Sequence, residues 1–214
     1  MTGQNKSNDP TRDKLLKAAE KLFAAKGYDA VSVREITSAA GVHLASVNYH
    51  FGGKENLYHE VFRSLWLPRA KQLRRPLEEL ERREDLTAEE IVRTMARIIF
   101  EIPLTEAEHN RHRLLVVQEM LQPGRGMEML AREFFHPTLE LVARLLGRAL
   151  GGEVDHNRLR LYAVSLMAQV NHFSLVRRGL SRMLGREDDE GFVAGLLDHI
   201  ADFALRGLSG ARRI

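Results

Sequence analysis

The stretch Val33-Arg-Glu-Ile-Thr-Ser-Ala-Ala-Gly41-Val-His-Leu-Ala-Ser-Val-Asn-Tyr-His-Phe51 decides the fold of this chain. Ser32 is placed to N-cap a short helix running through Ala40, with Glu35 at the reciprocal position of a capping box. Gly41 breaks the pattern, and a second short segment follows from Leu44 to His50. Small side chains at Ala39 and Ala40 permit close approach, and Gly41 can take the positive φ that a tight turn needs. Val42 and Val47, with Ile36, can seal the inside of the pair, which leaves Leu44, Ala45, Ser46, Asn48, Tyr49 and His50 for the outward face. Two helices crossing steeply through such a turn form a helix-turn-helix, whose second helix enters the DNA major groove. Short polar side chains there reach base edges, while Tyr, His and Lys suit phosphates. The same spacing also suits a tight helical hairpin inside a larger bundle.

Outward from this segment the chain reads as helix almost throughout. Upstream, Leu15, Leu16, Ala19, Leu22 and Phe23 recur at the i, i+3, i+4 spacing of one helical face, stopped at Lys26-Gly27. Downstream, Leu57, Val61, Phe62 and Leu65 mark a longer helix from Lys54, which Pro68 and Pro76 should kink or end. Thr87-Ala-Glu-Glu90 and Thr105-Glu-Ala-Glu108 are capping boxes opening two more, stopped before Pro103 and at Gln122-Pro123-Gly124. Further helices are expected over about 126–150, with a kink at Pro137, and over 155–178 and 189–208. No alternating β-branched stretch with a hairpin turn interrupts them, so the expectation is an all-α fold of about nine helices.

Composition narrows the chemistry. With 214 residues, 44% hydrophobic and 29% charged, the chain has the make-up of a soluble globular protein. The absence of Cys excludes disulfides, thiolate metal sites and a Cys nucleophile. Charged residues interrupt every apolar run, which argues against a membrane span. The opening MTGQNKSNDPTRDK lacks the apolar core of a signal peptide, giving a cytoplasmic expectation. No Gly-rich phosphate loop, HExxH or GxSxG motif supports the alternative of an all-α enzyme or a metal-binding helical protein, and no cofactor is expected.

The block Leu15-Leu-Lys-Ala-Ala-Glu-Lys-Leu-Phe-Ala-Ala-Lys-Gly-Tyr28, with Val31-Ser-Val-Arg-Glu-Ile36, Ala40-Gly-Val42 and Asn48-Tyr-His-Phe-Gly-Gly-Lys54, resembles the DNA-binding domain of the TetR family. The resemblance implies a homodimeric transcriptional regulator, usually a repressor, whose C-terminal all-α domain binds a small-molecule effector and dimerises. By position it implies that Ser32 and Arg34 meet the DNA backbone, that Ser46 and Asn48 lie towards the major groove, and that Tyr49, His50 and Lys54 hold phosphates. His43, in the turn, joins the DNA-contacting set with Leu44 and Ala45. One departure is visible: the family commonly carries Leu-Tyr where this chain has Val47-Asn48, so an aromatic phosphate contact gives way to an amide able to pair with adenine.

Farther on, Gln118-Glu-Met-Leu-Gln-Pro123, Phe134-Phe-His-Pro137 and Ala168-Gln-Val-Asn-His-Phe173 resemble a TetR subgroup with its own kind of ligand domain. The expected organisation is therefore a helix-turn-helix domain at 10–60, a connecting helix at 61–83 and a ligand-binding and dimerisation domain at 84–214. Effector pockets are mainly apolar with few polar groups. Candidate linings are Trp66, Met95, Ile99, Val117, Met120, Met127, Phe134, Phe135, Met167, Val170, Asn171 and Phe173, although such stripes also build plain core. Gln118, Gln169, Asn171 and His172 are polar residues inside them that need partners, most simply from a neighbouring helix. His109 and His112 have the spacing of two metal ligands, but their polar surroundings read as a solvated helix end, and no metal site is assigned. The apolar faces of the last two long helices suit dimerisation, and two-fold symmetry then predicts a roughly palindromic operator.

Charge is unevenly spread. Residues 1–60 hold 8 Lys/Arg against 7 Asp/Glu, residues 61–83 hold 7 against 3, and residues 84–214 hold 17 against 19. Most of the net +3 thus follows the helix-turn-helix rather than lying in it, and a modest salt dependence of DNA binding is expected.

Overall fold

The computed structural model describes residues 9–101, 105–121, 124–151 and 154–210, with side chains described for these apart from residues 69, 70, 73, 106, 109, 113, 120 and 125. Among the described residues there are ten α-helices, one π-helical turn and no strand. In order they are α1 (Pro10–Lys26), α2 (Val33–Ala40), α3 (Ser46–Phe51), α4 (Lys54–Glu81), α5 (Ala88–Phe100), α6 (Glu106–Leu121), α7 (Arg125–Leu130), a π turn (Ala131–Phe135), α8 (His136–Leu150), α9 (His156–Met183) and α10 (Glu190–Ser209). The fold is all-α, as the periodicity predicts.

The tenth helix arises where one was expected over 126–150. The first and last residues of the π turn, Ala131 and Phe135, are right-handed helical, so α7, the π turn and α8 run on without a break. Pro137 is the reason for a change of pitch just there. It has no N–H to give to the carbonyl four residues back, and its ring crowds that carbonyl. A π turn widens the helix at this point, and Thr138 Oγ1 donates to Phe134 O at 2.9 Å. The expected kink is realised as this turn.

Of the two effects expected of the prolines of α4, a kink or an end, the second does not occur. Neither Pro68 nor Pro76 ends the helix, which continues to Glu81 over 28 residues. Each removes one backbone hydrogen bond, a cost on the order of 3 kcal/mol. Side chains on either side of them are buried deeply enough to offset it: Val61 and Phe62 before, Leu77 after.

The chain divides into two compact units, one of Met1–Pro68 with Leu104–Glu133, the other of Arg69–Pro103 with Phe134–Ile214. The first contains α1–α3, the start of α4, α6 and α7. Its core is built on Leu15, Ala19, Phe23, Ile36, Val47, Leu57, Phe62 and Leu115. The second unit packs the end of α4 with α5, α8, α9 and α10 around Leu77, Ile91, Val92, Met95, Leu141, Leu145, Leu146, Ala163, Val170 and Ile200. The capping boxes at Thr87–Glu90 and Thr105–Glu108 are formed, each carboxylate accepting from the threonine N–H at 3.0 and 2.9 Å respectively.

Candidate nucleic-acid interface

Helix α2 begins where Ser32 Oγ accepts the Glu35 N–H at 3.1 Å. The reciprocal half of the expected capping box is replaced by a stronger partner, because the Glu35 carboxylate engages the Lys26 ammonium. That pairing holds the Glu35 carboxyl below its ordinary range. Ile36 and Thr37 are buried, and Thr37 Oγ1 donates back to Val33 O and Arg34 O, each at 3.1 Å. The helix stops at Gly41 in the left-handed region, φ 65° and ψ 39°. Gly41 N–H reaches Ser38 O at 3.2 Å and Val42 N–H reaches Thr37 O at 3.0 Å, the paired bonds of a Schellman cap. A side chain at Gly41 would be strained by this φ, not by any neighbour.

The turn into α3 is pinned by His43. Its carbonyl accepts the Ser46 N–H at 3.0 Å and its Nδ1 accepts the Ala45 N–H at 3.3 Å. Val47 is fully buried and Val42 half-buried, which with Ile36 is the inward set expected, and Phe51 joins them in the core. Ser32, Arg34, His43, Leu44, Ala45, Asn48 and Tyr49 are exposed, Tyr49 at 85%, whereas Ser46 and Lys54 are half-buried. Lys54 Nζ lies 4.1 Å from the centre of the Tyr28 ring, a cation–π contact that fixes the ammonium at the start of α4. His50 faces inward, its Nδ1 3.4 Å from Asp9 Oδ2, and the same Asp9 side chain caps α1 through the Thr11 N–H. Arg12 ties α1 to α4 through Glu60 at 2.5 Å and lies over the Phe51 ring.

Behind this surface α6 locks onto α1 and α4 with polar groups. Arg111 Nε donates to Glu20 Oε1 at 2.8 Å, and Gln118 Nε2 donates to Ala24 O at 3.2 Å. Gln118 is thereby satisfied from a neighbouring helix on its amide side, as anticipated. Burial would raise the Glu20 carboxyl, but the neighbouring His112 imidazole and the hydrogen-bonded Arg111 guanidinium outweigh it and hold the group below its ordinary range. His112 is not the solvated helix-end residue expected. It is 7% exposed, 3.6 Å from Glu20 Oε1, with its ring 5.8 Å from that of Trp66. The reason is the pairing of α6 with α1, which encloses a residue whose flanking sequence looks polar. Glu119 is buried too, accepting from Tyr58 Oη at 2.5 Å, Gly124 N–H at 3.1 Å and Met127 N–H at 2.7 Å. Burial and the adjacent Glu119 carboxylate push the Tyr58 phenol well above its usual value, so it remains the donor. Sequence reading picked Gln118 from this run and missed Glu119, although an acidic residue amid Leu114–Leu121 is the same kind of signal.

The twelve candidate lining residues fall in both units. Trp66, Val117 and Met127 belong to the first; Met95, Ile99, Phe134, Phe135, Met167, Val170, Asn171 and Phe173 belong to the second; the Met120 side chain, like that of His109, lies outside those described. Met95 and Val170 are core residues without exposed surface, and Ile99, Met167 and Phe173 pack against the same core. Phe134 and Phe135 are half-buried in the π turn, their rings edge to face at 5.0 Å. Asn171 is exposed and bonds its own helix, Nδ2 to Met167 O at 2.7 Å, and His172 is exposed. Cavities of about 580 Å³ (Glu81, Arg144, Gly147, Arg148, Gly151) and about 180 Å³ (Glu55, His59, Arg63, Glu128, Met129, Arg132) are lined by none of the twelve. Among the described residues no group of three or more His, Asp or Glu is arranged to hold a metal ion, and no helix is long and apolar enough to cross a membrane.

Comparison with known proteins agrees with this geometry. Residues 15–61 match the model of the bacterial regulatory proteins of the tetR family, and residues 84–208 match the C-terminal domain of the HTH-type transcriptional dual regulator CecR. CecR of Shigella flexneri is 25% identical over 214 residues, spanning 94% of each chain. The transcriptional repressor KstR2 of Mycolicibacterium smegmatis is 41% identical over 58 residues, 26% of this chain and 28% of its own. The solved structure of Salmonella enterica GusR shares the fold, with a TM-score of 0.63 at 19% identity over 92% of this chain and 98% of that one. With a helix-turn-helix at its N-terminus and a matched regulatory domain over more than half its length, the chain belongs to the TetR family of transcriptional regulators.

Proposed function

We propose that this chain is a ligand-responsive repressor, released from a palindromic operator by a small-molecule effector. The observation that carries the reading is the α2–α3 pair, whose inward residues are sealed while an outward face of Arg34, His43, Leu44, Ala45, Asn48 and Tyr49 is left to solvent. Ser32 and Arg34 meet the backbone from the start of α2, and Tyr49 and Lys54 hold phosphates. Asn48 presents its amide to adenine in the major groove, with Ser46 beside it. His50 supports this surface from behind through Asp9.

The helix-turn-helix domain spans 10–60, the connecting helix region, most of it α4, spans 61–83, and residues 84–214 hold effector and partner subunit. Within that domain the half-buried Ile99, Phe134, Phe135, Met167 and Phe173 can yield to a ligand more cheaply than the core residues Met95 and Val170. The effector acts by favouring a conformation in which the two recognition helices no longer match successive major grooves, and a coupling of about 1–3 kcal/mol would lower operator affinity roughly 5–150-fold. Exposed apolar side chains on α9 and α10, Leu161, Val164 and Phe203, supply the dimer face.

The test is a gel shift of the full chain on the DNA upstream of its own gene, with excess random duplex as competitor. Saturable binding that survives the competitor supports the reading, and equal loss to random duplex overturns it. Asn48→Ala should weaken the specific complex by about 1–3 kcal/mol while leaving random-duplex affinity unchanged. An equal loss on both would remove Asn48 as a base reader.

A further inference from the structure

On the outward face of the recognition element Leu44 is the one large aliphatic side chain, beside the small Ala45 methyl and the polar-tipped Tyr49 ring. Leu44 keeps 47% of its surface in solvent, in the turn that leads into α3, with exposed His43 and Ala45 on either side. It is not a loose loop residue. Val42 N–H is bound to Thr37 O at 3.0 Å, Ser46 N–H to His43 O at 3.0 Å and Ala45 N–H to His43 Nδ1 at 3.3 Å, so the backbone is fixed on both sides of it. The inward positions are taken by Val42 and Val47, and Leu44 is held out from the core they complete. An isobutyl group held in this place has nothing to gain from phosphates or from the amide and carbonyl edges of bases. The major groove offers one apolar group, the C5 methyl of thymine, where cytosine carries only hydrogen beside its amino donor.

We infer that Leu44 is a specificity-determining residue that reads a thymine methyl in each operator half-site. The inference rests on the reading of α2–α3 as the DNA interface, and it adds what that reading lacks: a base preference set by a named side chain. Removal of the methyl from its base should cost about fourfold in affinity per half-site, the equivalent of one buried methyl group at ~0.8 kcal/mol. Loss from both half-sites of a symmetric site should cost roughly sixteenfold.

The experiment uses the full chain and a duplex selected by it from a random-sequence library. Each thymine of the selected site is replaced in turn by deoxyuridine, symmetrically in both half-sites, and affinity is read by fluorescence anisotropy. One thymine position is expected to give the sixteenfold loss with the unmodified chain and no further loss with Leu44→Ala. Leu44→Met, which keeps an apolar tip, should retain the sensitivity. Circular dichroism and the melting temperature of both variants should match the parent, because the side chain is half exposed. Sensitivity that persists in Leu44→Ala, or a selected site in which no thymine responds, overturns the inference while leaving the DNA-binding reading intact. Failure to select any duplex overturns both.

Discussion

Glu119 shows how one side chain can hold three elements at once. Its carboxylate accepts from Tyr58 on α4 and from two backbone N–H groups at the start of α7. Gly126 has no side chain for the same reason, since a Cβ there would sit 2.9 Å from that carboxylate and 3.1 Å from the Phe62 ring. Tyr58→Phe deletes a donor to a buried acceptor and should cost about 1–3 kcal/mol, and Glu119→Ala should cost more because three donors lose their partner. Equilibrium urea unfolding checks both, and a loss under about 0.5 kcal/mol for Glu119→Ala would show that water replaces the carboxylate freely. Glu20 makes a pH prediction. Its carboxyl is held below its unfolded value, so the native state gains from its ionised form above the unfolded pKa and loses that gain as pH falls through the lower, folded one. The fall of stability with acid should therefore be shallower for Glu20→Gln than for the parent, the gap between them being widest near neutral pH and closing as pH falls through the carboxylate range. An unchanged acid limb would refute this role. None of these partnerships was legible in the sequence, because Tyr58 and Glu119 lie 61 positions apart and Glu20 and Arg111 lie 91 apart. The Schellman turn at Gly41 was legible, because every residue that forms it is local.

The same division between local and distant causes runs through the helices. Boundaries set by capping side chains were readable: Ser32, Thr87 and Thr105 each accept from the backbone N–H three residues on. Interruptions depending on packing were not. Pro68 and Pro76 look like helix stops, yet α4 runs through both because its two ends are anchored in apolar cores. That view makes the prolines a measurable burden on the helix. Pro76→Ala restores a backbone donor inside α4 and should raise stability by about 1–3 kcal/mol, less than the full helix-interior penalty because the native helix has already relaxed around the ring. Urea unfolding with an unchanged slope would record the gain. Destabilisation would mean instead that the proline ring is itself a packing group. Pro137 differs in outcome from both, since the helix there changes pitch to a π turn rather than absorbing the lost bond in place. Gln118 and His112 illustrate the limit from another side: both are polar residues of α6, and only the position of α1 decides that they are enclosed.

At the scale of the whole molecule, two properties depend on surfaces rather than on the core. The first is assembly. Leu161 at 67% and Phe203 at 63% exposure are large apolar groups left to solvent on α9 and α10, the helices proposed to pair between subunits. Leu161→Glu and Phe203→Arg should convert the chain to a monomer in sedimentation velocity at micromolar concentration, with the helical circular dichroism signal retained, since both side chains are more exposed than buried. A parent chain that already sediments as a monomer would remove the dimer from the proposal. The second property is the response of DNA binding to salt, which measures how many cations meet phosphates. Few are available on the described α2–α3 surface. Arg34 is exposed and Lys54 is fixed over Tyr28, whereas Lys26 is engaged by Glu35 and Arg12 by Glu60. With about two phosphate cations per subunit, a dimer should show a slope of log affinity against log salt near −4, rather than the value near −10 of strongly cationic repressors. Hydroxyl and backbone N–H donors then carry the rest of the backbone contact, and these release no counterions. Lys54→Gln should make the slope less steep by about two for the dimer, one per subunit. A slope that does not move would mean that the Tyr28 ring, not a phosphate, is the lasting partner of that ammonium.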